Sequence, residues 1–363
     1  MRDAAALWDF RSDTVTRPTA EMLQAMVEAP MGDAVFFEDP TVNALEAEIA
    51  AMLGKEAALY VPSGTMSNQL ALRVHLGSLD EVLCDERAHI HVWEVGGIHA
   101  HTGASVAAIA PEPGRRFLCA DAVVANASLD NACYHRPTTR LLALENTLNG
   151  TVAPASLVTE AARAARGLGL ATHLDGARLW NACAATGHEP IEYTPEFDSV
   201  SVCLSKGLGA PVGSVLAADA DHIDCARHFR KQFGGGWRQA GLLAAAGLHA
   251  VREHRSRLVE DHETACELAH GLTLLGFDVE PPETNMVWCD PPCELPMPFS
   301  ELAERLSAED GILVGGAYTG PRGRNPFGSQ AKSTRFVTHM QTPPTAVRAL
   351  LSGISRLLRR GAA

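Results

Sequence analysis

Apolar residues fall in short runs separated by longer stretches in which apolar and polar positions alternate at helical spacing. AALYV (57–61), EVLCD (81–85), SVAAIA (105–110), RLLALEN (140–146), LATHLDG (170–176) and SVSVCLS (199–205) are too short for helices and read as buried strands. SGTMSNQLALRVHL (63–76) and PASLVTEAARAARGLG (154–169) read as helices between them. Strands alternating with helices predict an α/β protein with a mainly parallel sheet covered by helices. Near residue 250 the texture changes. A long helical stretch runs to about Phe277, followed by NMVWCD (285–290), the helical FSELAERLSAED, the strand-like GILVGG and TRFVTH (334–339), and a closing helix. The expected division is a large domain over 1–254, N-terminal segment included, and a smaller α+β domain over 255–363. PRGRNPFGSQAKS (321–333) reads as a loop.

At 363 residues, 46% of them hydrophobic and 20% charged, the chain suits a globular protein with a substantial core. No apolar run approaches the roughly 18 residues of a membrane span. The first residues lack the uninterrupted apolar stretch of a signal peptide. A net charge of −13 argues against a general nucleic-acid binder. Nine scattered cysteines without a CxxC pair suggest reduced thiols and a cytoplasmic protein.

The basic residues are unevenly chosen. Arginine accounts for 26 of the 30; the four lysines are Lys55, Lys206, Lys231 and Lys332. Lys206 sits in LSKGLGAPVGS among small and apolar residues. A lysine amine can lose its proton and attack a carbonyl, which a guanidinium cannot; a dry, glycine-lined setting favours that. A strand-end lysine pointing into water is the plain alternative. Other strand ends are also chemically loaded. PSGTMSN leads from a strand into a helix through Ser63, Gly64 and Thr65, a phosphate cup or an ordinary turn and cap. LENT carries Glu145 and Asn146, and HLDGAR carries Asp175 and Arg178. A lysine and an aspartate at neighbouring strand ends, with a phosphate cup, suit pyridoxal phosphate. The lysine forms the imine, the aspartate keeps the pyridine nitrogen protonated, and the cup holds the phosphate.

Two other chemistries compete. HIHVWEVGGIHAH holds His89, His91, His99, His101 and Glu94. In a strand His89 and His91 would share a face, as metal ligands might, but no third ligand is fixed by spacing. GLGAPVGS resembles a nicotinamide-binding glycine motif with one residue too many, and it leads into the strand-like SVLAA instead of a helix.

The stretches FRSDTVTRPT, EDPTVNALE, PSGTMSNQ, HIHVWEVGG, LLALENTLNG, HLDGARLWNA, CLSKGLGAPVGS, FGGGWRQAG and RFVTH resemble the low-specificity L-threonine aldolases, from residue 10 to 339. The resemblance implies the aspartate-aminotransferase-like fold (fold type I), a pyridoxal-phosphate cofactor and a homo-oligomer, a dimer of dimers with active sites at the dimer interface. It implies that Lys206 carries the cofactor as an imine, that Asp175 pairs with the pyridine nitrogen, and that Gly64 and Thr65 bind phosphate. Arg238 would reach a phosphate from a neighbouring subunit. His89 would stack on the ring, with His135 as a second active-site histidine. Ser12, Arg178 and Arg335 would hold the carboxylate of an amino-acid substrate. The implied reaction is retro-aldol cleavage of L-threonine, L-allo-threonine or related β-hydroxy-α-amino acids to glycine and an aldehyde, with His89 or His135 as the base. A β-eliminating lyase, a racemase or an aminotransferase would use the same frame, and only the resemblance favours aldol cleavage. No nucleic-acid or membrane partner is expected.

The chain departs from the family at MGDAVFFEDP. Ala34, Phe36 and Phe37 stand where relatives commonly have aspartate, tyrosine and glycine. Two phenylalanines there predict altered aldehyde preference, toward aromatic β-substituents.

Overall fold

The computed structural model describes residues 8–129, 134–316 and 332–360. Two compact units divide the chain. One comprises 18–148 with 152–255; the other comprises the residues up to Arg17, Asn149–Thr151 and the chain from Ser256 onward.

The first unit is built on seven strands: β1 (Ala57–Val61), β2 (Asp80–Asp85), β3 (Ser105–Ile109), β4 (Thr138–Glu145), β5 (Ala171–Gly176), β6 (Ser199–Cys203) and β7 (Ser214–Ala218). Their order is β1-β7-β6-β5-β4-β2-β3. All neighbours are parallel except β7, which runs antiparallel to both β1 and β6. This is the α/β sheet that the apolar runs predict. Alternate residues of one strand serve opposite faces. Val82 and Cys84 pack with Leu72 of the helix Gly64–His75, whereas Leu83 packs with Val123 and Ala161 on the other side. Burying one such leucine contributes about 2 kcal/mol. Both faces therefore need helices, and β6 is buried along its whole length although serine alternates with valine in it.

The strand order reverses between β2 and β4, since β2 leads outward to β3 while β4 leads back through β5 and β6. A crevice opens at the carboxyl ends beside such a reversal. The turn after β2 and the ends of β4, β5 and β6 border it.

The second unit has a three-stranded antiparallel sheet, with Met286–Asp290 between Thr334–Val337 and Asp278–Glu280. The helices Leu258–Leu274 and Pro344–Arg360 supply Leu268, Leu272, Leu350 and Ile354 to a core with Phe10, Val287 and Phe336. The N-terminal segment departs from expectation. Trp8–Asp9 pairs in parallel with Ile312–Leu313, and the Phe10 carbonyl accepts from the Val337 N–H, so this segment belongs with the C-terminal unit. Such long-range pairing leaves no local mark in sequence. Most of the loop expected over 321–333 lies outside the described residues. Among the described residues no helix is long and apolar enough to cross a membrane, and eight cysteines are unpaired.

Asp39 ties the first unit's N-terminal segment to it. Its fully buried carboxylate caps the helix Pro40–Met52 by accepting from Thr41 and Val42 N–H, and also accepts from Gly32 and Gly241 N–H. Removing it strands several buried donors. Asp39→Ala should cost about 3 kcal/mol in urea unfolding; a loss under about 0.5 kcal/mol would contradict this role.

Candidate active site

Local sequence delivers each group to the crevice. Asp85 ends β2 and accepts from the backbone and the guanidinium of Arg87 at 2.9, 2.8 and 2.7 Å, closing the turn that leads to His89. His89–Val92 is a helical turn, not a strand, so the pairing of His89 with His91 on one strand face does not arise. Glu145 and Asp175 end β4 and β5 and are register partners. Lys206 lies in the tight loop between β6 and β7, where Gly209 N–H donates to the Lys206 carbonyl at 2.8 Å. That loop returns through Gly213 at φ +110°, where a Cβ would meet the Tyr60 ring at 2.5 Å. Ser63 caps the helix Gly64–His75 by accepting from Met66 N–H at 3.2 Å, which leaves Gly64 and Thr65 in its first turn. A Cβ on Gly64 would lie 2.7 Å from Cys203 Sγ, so only glycine brings this helix so near β6.

The centre is a hydrogen-bonded set of acids. Asp175, 4% exposed, accepts at Oδ2 from Asn68 Nδ2 (2.7 Å) and at Oδ1 from Ala177 N–H (3.0 Å). Asn68 Nδ2 also donates to Glu94 Oε1 at 2.9 Å, and Gln69 donates to Glu94 Oε2. Glu94 Oε1 lies 2.8 Å from His89 Nδ1, and the His89 backbone N–H donates to Glu145 Oε2 at 2.8 Å. Burial pushes the His89 imidazole down, but the Glu94 hydrogen bond and the charges of Asp175 and Glu145 outweigh it, and its pKa is raised. Burial raises Glu145 strongly, and the charge of Asp175 beside it adds to the effect.

His89, Glu94 and Asp175 offer one nitrogen and two oxygens within 4.8 Å of one another, as a metal site would. Both oxygens of each carboxylate, however, already accept N–H donors, which marks a hydrogen-bond network.

The remaining candidates are spread. Arg178 is half-buried at the start of the helix Leu179–Thr186. Arg238 pairs with Asp33 at 3.0 Å and is half exposed. His135 lies in an exposed turn, its ring 3.8 Å from that of Tyr134. Ser12 and Arg335 belong to the other unit. There the Arg335 guanidinium donates to the Arg11 carbonyl, next to Ser12, and lies 5.6 Å from the Trp288 ring. Asn68 and His173 escaped the sequence reading, although both left a trace: Asn68 lies one turn after Gly64, and His173 alternates with Asp175 on one strand face.

The family model for beta-eliminating lyases matches residues 9–291. The chain belongs to this family. It is 44% identical over 336 residues to the low specificity L-threonine aldolase of Escherichia coli K12, covering 92% of this chain and 93% of that one. It is 42% identical over 283 residues to that of Saccharomyces cerevisiae, covering 77% and 73%. The structure of Leishmania major threonine aldolase superposes with a TM-score of 0.79 at 19% identity, covering 97% and 99%, which establishes the shared fold. The fold is that of fold-type I pyridoxal-phosphate enzymes, and the donor set fits that cofactor. Lys206 is an amine in the loop after β6, Asp175 is an acceptor held by N–H donors, and Gly64 and Thr65 begin a helix whose N-terminal N–H groups suit an anion.

Glu145 generates a prediction. A carboxyl raised above its ordinary value binds more protons in the native state than in the unfolded one, so its contribution to stability is complete below about 4.5 and is lost as pH rises. Glu145→Gln should flatten this decline in cofactor-free protein, measured by urea unfolding from pH 5 to 8. Parallel parent and variant curves would contradict it.

Proposed function

We propose that this chain splits L-threonine, L-allo-threonine and related β-hydroxy-α-amino acids into glycine and an aldehyde. The observation carrying this is Asp175 at the end of β5, joined through Asn68 to the His89–Glu94 pair, with Lys206 in the loop after β6, in a chain 44% identical to a low specificity L-threonine aldolase.

When bound, pyridoxal phosphate supplies a sink for the electron pair left on Cα as the Cα–Cβ bond breaks. Lys206 is the amine that holds its aldehyde carbon; no arginine could do so. Asp175 keeps the ring nitrogen protonated, and Gly64 and Thr65 hold the phosphate. Arg178 pairs with the substrate carboxylate, a bidentate match. His89 donates from Nδ1 to Glu94, which leaves a lone pair on Nε2. Nε2 takes the β-hydroxyl proton as the aldehyde departs, and its raised pKa strengthens it as a base. A proton returned to Cα completes glycine. We assign the hydroxyl proton to His89 and not to His135, because His89 is held within the acid network and His135 lies in an exposed turn.

The chain works in the cytoplasm as a homo-oligomer, a dimer of dimers, in which Arg238 serves the phosphate of a neighbouring subunit. Supporting this, Arg238 is half exposed and lies beside Phe36 (65% exposed), and Phe37 is 57% exposed, apolar surface that a second copy would cover. The Arg238 carbonyl accepts from Ala34 N–H at 2.8 Å, and its guanidinium lies 5.7 Å from the Phe36 ring. Phe36 therefore travels with Arg238 and faces the substrate's side chain in the assembled enzyme.

Lys206→Ala should abolish turnover and the covalent cofactor link while the protein stays folded; full activity would refute the assignment. The aromatic pair predicts a higher kcat/KM for phenylserine than for threonine, falling in Phe36→Ala. A strong threonine preference in the parent enzyme would contradict it.

A further inference from the structure

A polar seam runs through the apolar contact between the helix Gly64–His75 and the sheet. His173 on β5 and Ser199 on β6 are register partners, and Asn68 and His75 lie two helical turns apart on one face of the helix. Their side chains form one chain of hydrogen bonds. His75 Nε2 lies 2.9 Å from Ser199 Oγ, Ser199 Oγ lies 2.9 Å from His173 Nδ1, and His173 Nε2 lies 3.1 Å from Asn68 Oδ1. The chain continues through Asn68 Nδ2 to Asp175 and Glu94. Asn68, His173 and Ser199 are 2%, 0% and 2% exposed, so none of these groups can exchange its partner for water.

The acid end dictates the direction of every bond. Both protons of the Asn68 amide go to carboxylates, so its oxygen must accept. His173 must then carry its proton on Nε2. Burial holds His173 and His75 neutral, each lowered to about 4, so His173 Nδ1 is a bare acceptor. Ser199 must donate to it, and the Ser199 oxygen then receives Nε2–H of His75. If His173 took the other tautomer, two lone pairs would face each other across 3.1 Å. Rotating the Asn68 amide to relieve this would turn its oxygen toward two carboxylates.

We infer that His173, Ser199 and His75 form a positioning relay. It locks the Asn68 amide with its N–H groups toward Asp175 and Glu94, and so holds the partner of the cofactor's ring nitrogen and the His89–Glu94 pair in a single arrangement. The relay rests on the assignment of Asp175 to pyridoxal phosphate for its effect on the enzyme, but not for its internal polarity.

The test compares His173→Gln, whose amide N–H can still reach the Asn68 oxygen, with His173→Leu, which has no donor. Titration of cofactor-free protein with pyridoxal phosphate, followed by tryptophan fluorescence, should show dissociation constants within threefold of the parent for the glutamine variant and at least tenfold higher for the leucine variant. Turnover of threonine by the leucine variant should fall in kcat with little change in KM. Nitrogen-15 spectra of the cofactor-free parent should place the His173 proton on Nε2. If near-ultraviolet circular dichroism shows that the leucine variant is unfolded, Ser199→Ala takes its place. That variant leaves His173 Nδ1 without its donor and should weaken cofactor binding at least threefold. A proton on Nδ1 in the parent, or parent-like binding by a folded leucine variant or by Ser199→Ala, would overturn the relay. A parent protein that binds no pyridoxal phosphate would instead overturn the reading of Lys206 and Asp175, and the tautomer would still decide the relay.

Discussion

The site depends on how a buried carboxylate is kept as a hydrogen-bond acceptor. Taking a carboxylate out of water is costly unless protein donors replace the lost solvent. Asp175 receives two such donors, from Asn68 and from the backbone of Ala177. Its register partner Glu145 receives the His89 backbone N–H, and burial with the charge of Asp175 beside it raises its pKa. Adjacent strand ends thus place two acids in different hydrogen-bonding surroundings. One is suited to a cationic ring nitrogen, and the other can sit beside it without adding a second charge. The environment, not the residue type, separates them.

The reversal of strand order makes this arrangement possible. β2, β4, β5 and β6 are parallel neighbours, so their carboxyl ends collect at one edge, where β5 itself carries Asp175 and the segments after β2 and β6 carry His89 and Lys206. Two of the other lysines show what this chain does with an ordinary amine. Lys55 donates to the carbonyls of Thr194 and Phe197, and Lys332 pairs with Asp278 and Asp290. Phe37 shows a different compromise. It holds a left-handed backbone, φ 61°, which costs a non-glycine residue about 1 kcal/mol. The Arg227 guanidinium lies 4.8 Å from its ring.

Much of this was legible in sequence because the relevant signals are local. Apolar runs bounded by small and polar residues located every strand of the large sheet, and the residues at the ends of those runs located Asp175, Lys206 and the Gly64–Thr65 turn. What escaped depends on contacts between distant segments. The parallel pairing of Trp8–Asp9 with Ile312–Leu313 moved the N-terminal segment out of the unit expected for it. The helical turn at His89–Val92 follows a turn that Asp85 and Arg87 close through side chains, a contact with no periodic signal in the sequence. Asn68 and His173 read as an ordinary helix residue and an ordinary strand residue, and only the meeting of helix and sheet gives them partners.

The central claim is that Lys206 and Asp175 hold pyridoxal phosphate for cleavage of a β-hydroxy-α-amino acid. Its most direct test is the visible absorbance spectrum of the purified protein before and after L-threonine, with glycine and acetaldehyde assayed afterwards. The account predicts a yellow protein whose band is perturbed by threonine and which yields both products in equal amounts. A protein that remains colourless after pyridoxal phosphate is added would contradict it.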